Sequence, residues 1–261
     1  MYQAISAEVK DKVGTITLSR EERRNAISPT MMNELLHVFK QYDDDPNVVT
    51  ILLTGAGNRA FCSGGDFAES FAAGGNFIER YEEQRKFAEL FKIIISLKKP
   101  LVGRINGHAM GGGLGLATAC DIGVATEDCK FGTPEVNVGL FPYIIMATLL
   151  RATTAPKKLL EMMLAGERVD AREALRLGFV NHVVPRDQLD AKVHEITRNL
   201  ANKSPLTLRL GRRAFHAMRD MEYEKALEYL SSMLAINTAA EDVAEGITSF
   251  IEKREPMWKG K

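Results

Sequence analysis

The chain has 261 residues, and its content of 45% apolar and 26% charged residues is ordinary for a folded globular protein. Lys and Arg together number 34, as do Asp and Glu, so no charge excess predicts binding to nucleic acid or to an anionic membrane. Early charged residues argue against a signal peptide, no apolar run is long enough to span a membrane, and the three cysteines lack a metal-ligand spacing, so we expect a cytoplasmic protein.

Short apolar runs alternate with helical segments through the first half of the chain. The predicted strands are VGTITL (13–18), VVTILLTG (48–55), LVGRING (101–107) and DIGVAT (121–126). The predicted helices between them are 30–42 and 77–97, and Pro100 helps to end the second one. This alternation favours a layered α/β core with crossover helices.

Beyond Pro142 the predicted elements are mostly helical. They are helices over 156–166 and 170–178, a short strand over 179–185 and several helices after Asp187. Asp170 is the predicted N-cap of the second of these helices, and Gly178 is its terminator. The change in pattern divides the chain into a core over 1–200 and a helical region over 201–261.

Gly55, Gly57 and Ala60 follow a predicted strand with the spacing of a dinucleotide-binding fingerprint. That motif requires a helix to begin in the glycine turn, because the helix N-terminus holds the pyrophosphate. Here FCSGGDF comes next, and its two glycines disfavour a helix. We therefore interpret the segment as a loop. The alternative, a dinucleotide-dependent oxidoreductase, predicts NAD binding and a helix at that place.

Two glycine-rich loops, AFCSGGDF (60–67) and NGHAMGGGLGLA (106–117), each leave a predicted strand and enter a predicted helix. Glycine lets backbone N–H groups approach a ligand closely, and a helix N-terminus adds unpaired donors and a partial positive charge. Two such loops facing each other would direct one N–H each at a single oxygen, which is an oxyanion hole. Close helix–strand packing accounts for the same glycines, and the residues alone leave both interpretations open.

Two reactive side chains lie in these loops. Cys62 would serve as a nucleophile, but a small cysteine packed into a tight loop is the commoner case. His108 has no acidic or cysteine partner at a catalytic spacing, which favours a structural role.

The segments AFCSGGD, INGHAMGGGLGLATACDIGVAT and FGTPEVNVG occur in this order, and together they resemble the motifs of the enoyl-CoA hydratase/isomerase (crotonase) family. The similarity extends through LAGERVDAREALRLGFVNHVVP to the terminal ITSFIEKREPMW. It implies an α/β fold, a crotonase-like spiral of repeated ββα units with a helical C-terminal trimerisation region, assembled as a homotrimer or a dimer of trimers. It also implies an acyl-CoA substrate, with coenzyme A as part of that substrate and no separate cofactor or metal.

The resemblance implies roles for individual residues. The backbone N–H groups of Cys62 and Gly112 correspond to the two donors that hold an enolate oxygen, and Glu135 corresponds to a catalytic glutamate. The implied acyl-CoA contacts are Arg24, Ala26, Ala60, Ser63, Gly64, Gly65, Asp66, Gly111 and Tyr143, together with Phe250 and Lys253, which would reach the coenzyme A of a neighbouring subunit.

One carboxylate of the family pattern is missing. The hydratases that the chain resembles carry two glutamates, but the first position here is Gly115, and only Glu135 is retained. Hydration benefits from two carboxylates that hold a water and move its proton, whereas one base suffices to move a proton from C2 to C4 of a 3-enoyl thioester. The single glutamate therefore favours a Δ3–Δ2 isomerase, with hydration as the alternative.

The neighbours of Glu135 in the sequence bear on its chemistry. We expect Val136, Val138 and Phe141 to provide an apolar surround that raises its pKa. The bulky segment Tyr143–Ile145 stands where many hydratases have glycines, so it gives the acyl pocket a different shape or supplies a tyrosine hydroxyl as a donor.

Two other functions stay open at this point. Decarboxylation or C–C cleavage of another acyl-CoA would use the same enolate. A non-catalytic acyl-CoA-binding protein is the second, because one family carboxylate is lost.

Overall fold

The computed structural model describes residues 2–66, 69 and 74–261. Its strands in these ranges are β1 (Ile5–Lys10), β2 (Val13–Leu18), β3 (Thr50–Gly55), β4 (Ala60–Cys62), β5 (Leu101–Ile105), β6 (His108–Met110), β7 (Ile122–Thr126), β8 (Lys130–Gly132), β9 (Arg168–Asp170) and β10 (His182–Val184). Its helices are α1 (Pro29–Asp44), α2 (Phe77–Ser96), α3 (Gly112–Ala119), α4 (Tyr143–Ala152), α5 (Pro156–Ala165), α6 (Ala171–Leu177), α7 (Leu189–Ala201), α8 (Pro205–Met218), α9 (Tyr223–Thr238) and α10 (Glu241–Glu252).

The strands form two sheets. The larger sheet has the order β1-β2-β3-β5-β7-β10, in which β1 and β2 are antiparallel and the other neighbours are parallel. The smaller sheet has the order β4-β6-β8-β9, and only its β8–β9 pair is antiparallel. Along the chain β3, β5 and β7 each precede a strand of the smaller sheet, and a helix follows. The chain therefore winds through repeated ββα units, and the predicted spiral α/β fold is confirmed.

Helix ends coincide with the residues that stabilise them. The side chain of Ser28 accepts the N–H of Met31 at the start of α1, and Asn76 and Glu79 form a reciprocal capping box at the start of α2. Asp170 accepts an N–H at the start of α6, as predicted from its position. These caps supply acceptors for N–H groups that have no partner within the helix.

The predicted strands and helices are present with small changes in length. The strand predicted over 179–185 is limited to the three residues of β10, because only those pair with β7. No helix begins between Gly55 and Ala60, where the chain passes from β3 into β4, so the dinucleotide-binding alternative lacks its helix. The helix predicted directly after the first glycine loop falls mostly at residues 67–73, of which only residue 69 is described.

Helices α7 and α8 contact the core in different ways. α7 packs on the larger sheet and ends next to the boundary predicted at residue 200. Arg212 on α8 is almost completely buried, and its guanidinium donates to the carbonyls of Ile94 (2.7 Å) and Ile95 (3.0 Å) at the end of α2. In the described part of the chain, no helix combines the length and apolar character needed to cross a membrane.

Candidate active site

Three neighbouring parallel strands of the smaller sheet end at the same edge. β4 pairs with β6 and β6 pairs with β8, so the chain leaves the sheet side by side after Cys62, Met110 and Gly132. The segments that follow are the first glycine loop, the second glycine loop and the short 3-10 helix Pro134–Val138, which carries Glu135. The sheet thus brings together three motifs that are far apart in the sequence.

The first glycine loop is held by backbone hydrogen bonds to a second segment. The N–H of Ser63 donates to the carbonyl of Arg24 (3.1 Å), and the N–H of Ile27 donates to the carbonyl of Gly64 (2.8 Å). Arg24 and Asn25 have φ values of 53° and 55°, in the left-handed region that few residues other than glycine adopt. The two predicted acyl-CoA segments therefore lie against each other.

Buried polar side chains fix this pair of segments. The completely buried Asn25 donates to the carbonyl of Ala60 (2.8 Å) and accepts the N–H of Arg20 (3.1 Å). The carboxylate of Asp66 forms an ion pair with Arg20 (3.0 Å), whose guanidinium also donates to the carbonyl of Ala26 (2.9 Å). Of the predicted contacts here, the buried ones are Ala26, Ala60, Gly64 and Asp66, and the accessible ones are Arg24, Ser63 and Gly65.

The second glycine loop turns between β6 and α3. Gly111 has a φ of 52°, and its N–H donates to the carbonyl of Gly132 (2.8 Å). Gly112 is the first residue of α3, so its N–H has no acceptor within that helix. A Cβ added to Gly64 would lie 3.3 Å from the nitrogen of Gly112. The two glycine loops are therefore in contact at the positive end of a helix.

Gly113 and Gly115 of this segment are required by close packing. A Cβ on Gly113 would lie 2.7 Å from the Cβ of Cys62. A Cβ on Gly115 would lie 2.9 Å from the Cβ of Ile145 and 2.9 Å from the ring of Phe91. Gly113 and Gly115 lie within α3, where close packing explains why they are glycines. At Gly111 the positive φ explains the choice of glycine.

The carboxyl group of Glu135 lies directly against the second glycine loop. A Cβ on Gly111 would lie 2.6 Å from its Oε1 and 3.1 Å from its Cδ, so a larger residue at 111 would displace the carboxyl group. Its Oε2 is buried and has no hydrogen-bond partner among the described residues.

Burial raises the pKa of Glu135 above its ordinary value of 4.5, although a hydrogen bond from its own backbone N–H opposes the rise. The predicted direction of the pKa shift is therefore confirmed. The prediction that Val138 contributes to this rise in pKa is wrong, because its side chain is 66% exposed and turns to solvent.

The structure favours non-reactive roles for the side chains of Cys62 and His108. Burial raises the pKa of the Cys62 thiol to about 12, against a hydrogen bond from the N–H of Gly64, so little thiolate forms near neutral pH. Nδ1 of His108 accepts the N–H of Lys130 (3.1 Å) between β6 and β8.

Three predicted contacts lie on exposed surfaces of the single chain. The ring of Tyr143, at the start of α4, is 71% exposed and lies 5.3 Å from the ring of Phe141. Phe250 is 84% exposed and lines a groove of about 710 Å³ with residues of α8, α10 and the C-terminal segment, none of them from the glycine loops. Lys253 ends α10 with a φ of 55°. Within one chain, Phe250 and Lys253 are not brought to the site.

The sequence analysis missed Phe87 and Phe91. A Cβ on Gly112 would lie 3.0 Å from the ring of Phe87, and the two phenyl rings pack edge to face with centroids 5.1 Å apart. Their spacing of four residues on α2 indicates one helix face. Helical spacing predicts a buried face, but it does not predict which partner that face meets.

A family model described as enoyl-CoA hydratase/isomerase matches residues 8–261. The chain is 34% identical over 250 residues to the carnitinyl-CoA dehydratase of Escherichia coli, covering 94% of each chain. It is 30% identical over 252 residues to the short-chain-enoyl-CoA hydratase of Clostridium acetobutylicum, covering 95% of this chain and 94% of that protein. The crystal structure of an enoyl-CoA hydratase from Bacillus anthracis superimposes with a TM-score of 0.93 at 31% identity, covering 99% of this chain and 100% of the other.

Proposed function

This chain belongs to the enoyl-CoA hydratase/isomerase family, and from that premise we propose that it is a Δ3–Δ2 enoyl-CoA isomerase. Family membership makes it an acyl-CoA enzyme. The observation that carries the finer proposal is the Glu135 carboxyl group, with one buried oxygen that has no partner in the described chain. The position that would hold a second acid is Gly115, one turn after Gly111 on α3. The side chains of Ile145 and Phe91 fill the space beside it.

The reaction would need one proton acceptor that also returns the proton. The carboxylate of Glu135 takes the proton from C2 of a 3-enoyl thioester, and the negative charge is shared by C2, C4 and the thioester carbonyl oxygen of a dienolate. The same carboxyl group then gives its proton to C4, so the double bond ends between C2 and C3. The raised pKa of Glu135 suits the first step, because a stronger base removes a weakly acidic C–H proton more readily.

The dienolate oxygen would be held by the backbone N–H groups of Cys62 and Gly112. Support comes from the contact between their loops and from the position of Gly112 at the start of α3, where its N–H lacks an acceptor within the helix. One donor aimed at a developing oxyanion contributes about 3–4 kcal/mol to transition-state stabilisation.

The coenzyme A part of the substrate would run along the paired segments Arg24–Ala26 and Ala60–Asp66. Their accessible members are positioned by the buried Asn25 and the Arg20–Asp66 ion pair, which supports a preformed binding surface. The reaction asks for no cofactor beyond the coenzyme A that arrives with the substrate.

Hydration of a 2-enoyl thioester is the second candidate, and the names of the relatives favour it. The proteins from Clostridium acetobutylicum and Bacillus anthracis are both called enoyl-CoA hydratases. Hydration would require Glu135 to deprotonate a water by itself.

An assay of the purified protein with a 3-enoyl-CoA and with a 2-enoyl-CoA, products separated by chromatography, tests the proposal. We expect the 3-enoyl thioester to become the 2-enoyl thioester with little 3-hydroxyacyl product. Rapid formation of 3-hydroxyacyl-CoA from the 2-enoyl thioester would contradict the isomerase proposal and establish hydration. No reaction with either compound would point to another acyl-CoA or to a binding protein without turnover.

We also propose assembly as a homotrimer or a dimer of trimers through the C-terminal helices. Exposed apolar side chains on α9 and α10 support this assembly, and they are Leu227, Leu234, Ile236, Ile247, Phe250 and Ile251. In such an assembly Phe250 and Lys253 would reach the coenzyme A bound to a neighbouring subunit. Light scattering of the purified protein checks the proposal, and a monomeric mass would contradict it.

A further inference from the structure

The space beside Gly115 is filled from two directions by apolar side chains. The Cβ of Ile145 on α4 and the ring of Phe91 on α2 each lie 2.9 Å from where a Cβ of residue 115 would be. Ile145 is 2% exposed and Phe91 is 6% exposed, so neither group is free to turn into solvent. Two different helices therefore close this part of the core.

That closed space lies one helical turn from the glycine that the candidate base contacts. The N–H of Gly115 donates to the carbonyl of Gly111 (3.1 Å), which is the N-cap of α3. Four residues of helix rise by about 6 Å. The carboxyl group of Glu135 thus lies against the N-cap of α3, and the side chain of Ile145 lies against the same helix one turn further along.

The apolar wall continues toward the proposed oxyanion donors. The ring of Phe87 lies against Gly112 and packs edge to face on Phe91. Phe87, Phe91 and Ile145 thus form one apolar surface along α3 from Gly112 to Gly115. A water placed against that surface would have no side chain from these three residues to accept or donate a hydrogen bond.

We propose that Ile145, together with Phe91, determines which reaction occurs by keeping water out of the space beside Gly115. The inference rests on the proposed function, because it explains why a site with a strong single base would shift a double bond rather than hydrate it. Hydration adds a water oxygen to C3 and a proton to C2, and it needs a water that is held and deprotonated next to the acyl chain. Double-bond migration needs only the proton already taken by Glu135.

The test replaces Ile145 with Ala and compares it with a matched variant, Leu149→Ala. Leu149 is also completely buried and lies on the same helix, one turn further along than Ile145. Both variants lose aliphatic volume from the core, but only Ile145→Ala opens room for water beside Gly115. For each protein the rates of 2-enoyl-CoA hydration and of 3-enoyl-CoA isomerisation are measured, and their ratio is compared with that of the wild type.

We expect the ratio of hydration to isomerisation to rise by about tenfold or more in Ile145→Ala, an effect of the size expected for a change in pocket shape, and to stay within about twofold in Leu149→Ala. An unchanged ratio in a folded Ile145→Ala protein, or an equal rise in both variants, would overturn the inference. If Ile145→Ala does not fold, Phe91→Leu opens the same space from the other side, and the same two outcomes apply to it.

The wild-type protein separates this inference from the proposed function. Wild type that fails to isomerise 3-enoyl-CoA refutes the isomerase proposal by itself. The role of Ile145 is then judged from the rate of 2-enoyl-CoA hydration alone. A rise specific to Ile145→Ala supports water exclusion, and the absence of a rise refutes it.

Discussion

Two carboxyl groups of this molecule, Asp121 and Glu135, have contrasting surroundings. Asp121, at the start of β7, accepts the N–H of Leu101 (2.8 Å) and the guanidinium of Arg212 (2.6 Å), and it contacts Nε2 of His216 (3.2 Å). Glu135, at the edge of the smaller sheet, has one buried oxygen with no partner in the described chain. Asp121 thus has several donors, whereas one oxygen of Glu135 has none among the described residues.

The pKa values of the two groups follow from this difference. For Asp121, burial acts to raise the pKa, but the hydrogen bond with His216 and the charge and hydrogen bonds of Arg212 outweigh it and hold the pKa below 3.8. For Glu135, burial is the largest influence, and the pKa rises above 4.5. The charged form is thus favoured at Asp121, which joins α8 to the core, and disfavoured at Glu135.

The largest effect is expected when the unpartnered carboxyl group is removed. Glu135→Gln keeps the shape of the side chain but cannot accept the substrate proton, so turnover should fall by about 10²–10⁴-fold. Affinity for the acyl-CoA, measured by calorimetry with a non-reactive saturated thioester, should change little. Glu161→Gln, which changes an exposed glutamate on α5, is the matched control. Full activity in Glu135→Gln would remove this residue from the chemistry.

The same substitution should affect stability in the opposite direction. The pKa of Glu135 is raised on folding, so the folded protein holds this proton to higher pH than the unfolded chain does. The ionised group therefore destabilises the fold above its unfolded pKa near 4.5, and the penalty vanishes at lower pH. Denaturant unfolding at pH 7 should give a larger free energy of unfolding for Glu135→Gln than for wild type, and the difference should shrink toward pH 4.

A somewhat smaller effect is expected at the proposed oxyanion donor. Gly112 is the first residue of α3, where proline fits the helix and removes one N–H. Gly112→Pro should lower kcat by about 10²–10³-fold. Gly112→Ala retains the N–H and places a similar Cβ against the rings and methyl groups of Phe87 and Ile27, so it controls for crowding. Equal losses in the two variants would assign the effect to packing and not to the N–H.

Substitution of Asp121 should reduce stability and leave activity almost unchanged. Asp121→Asn leaves the buried guanidinium of Arg212 without its anion, so the free energy of unfolding at pH 7 should fall by about 3 kcal/mol. The kcat per folded protein should change less than twofold, because Asp121 does not belong to the edge that carries Glu135. A large loss of kcat with unchanged stability would contradict the contrast between the two groups.

The smallest effects lie in the pH dependence. A depressed pKa means that the stabilisation from Asp121 is complete above its unfolded value of 3.8 and is lost as pH falls through the lower folded value. Catalysis by Glu135 should be lost at a higher pH, above 4.5, as its carboxylate gains a proton. The acid limb of kcat/KM should therefore precede acid unfolding. An acid limb that coincides with unfolding would show that activity reports only stability.

The amino-acid sequence by itself determined the elements and the motifs. Short apolar runs predicted the strands, and N-caps such as Asp170 predicted helix starts. The positions of Gly111 and Glu135 were recognised because their motifs are local. Only the tertiary structure decided what these residues meet. Ile145 and Phe91 close the space beside Gly115 from two different helices, one after it and one before it in the chain, and no local pattern predicts such a contact.

The same limit explains the pKa values of the two carboxyl groups. A sequence shows that Glu135 follows a proline and that Asp121 precedes a strand, but not that Arg212 and His216 reach Asp121 from α8. Donors and apolar walls act over a few ångströms, and they are brought there by chain segments up to 95 residues away. Local order is a property of neighbouring residues in the chain, whereas reactivity is a property of neighbours in space.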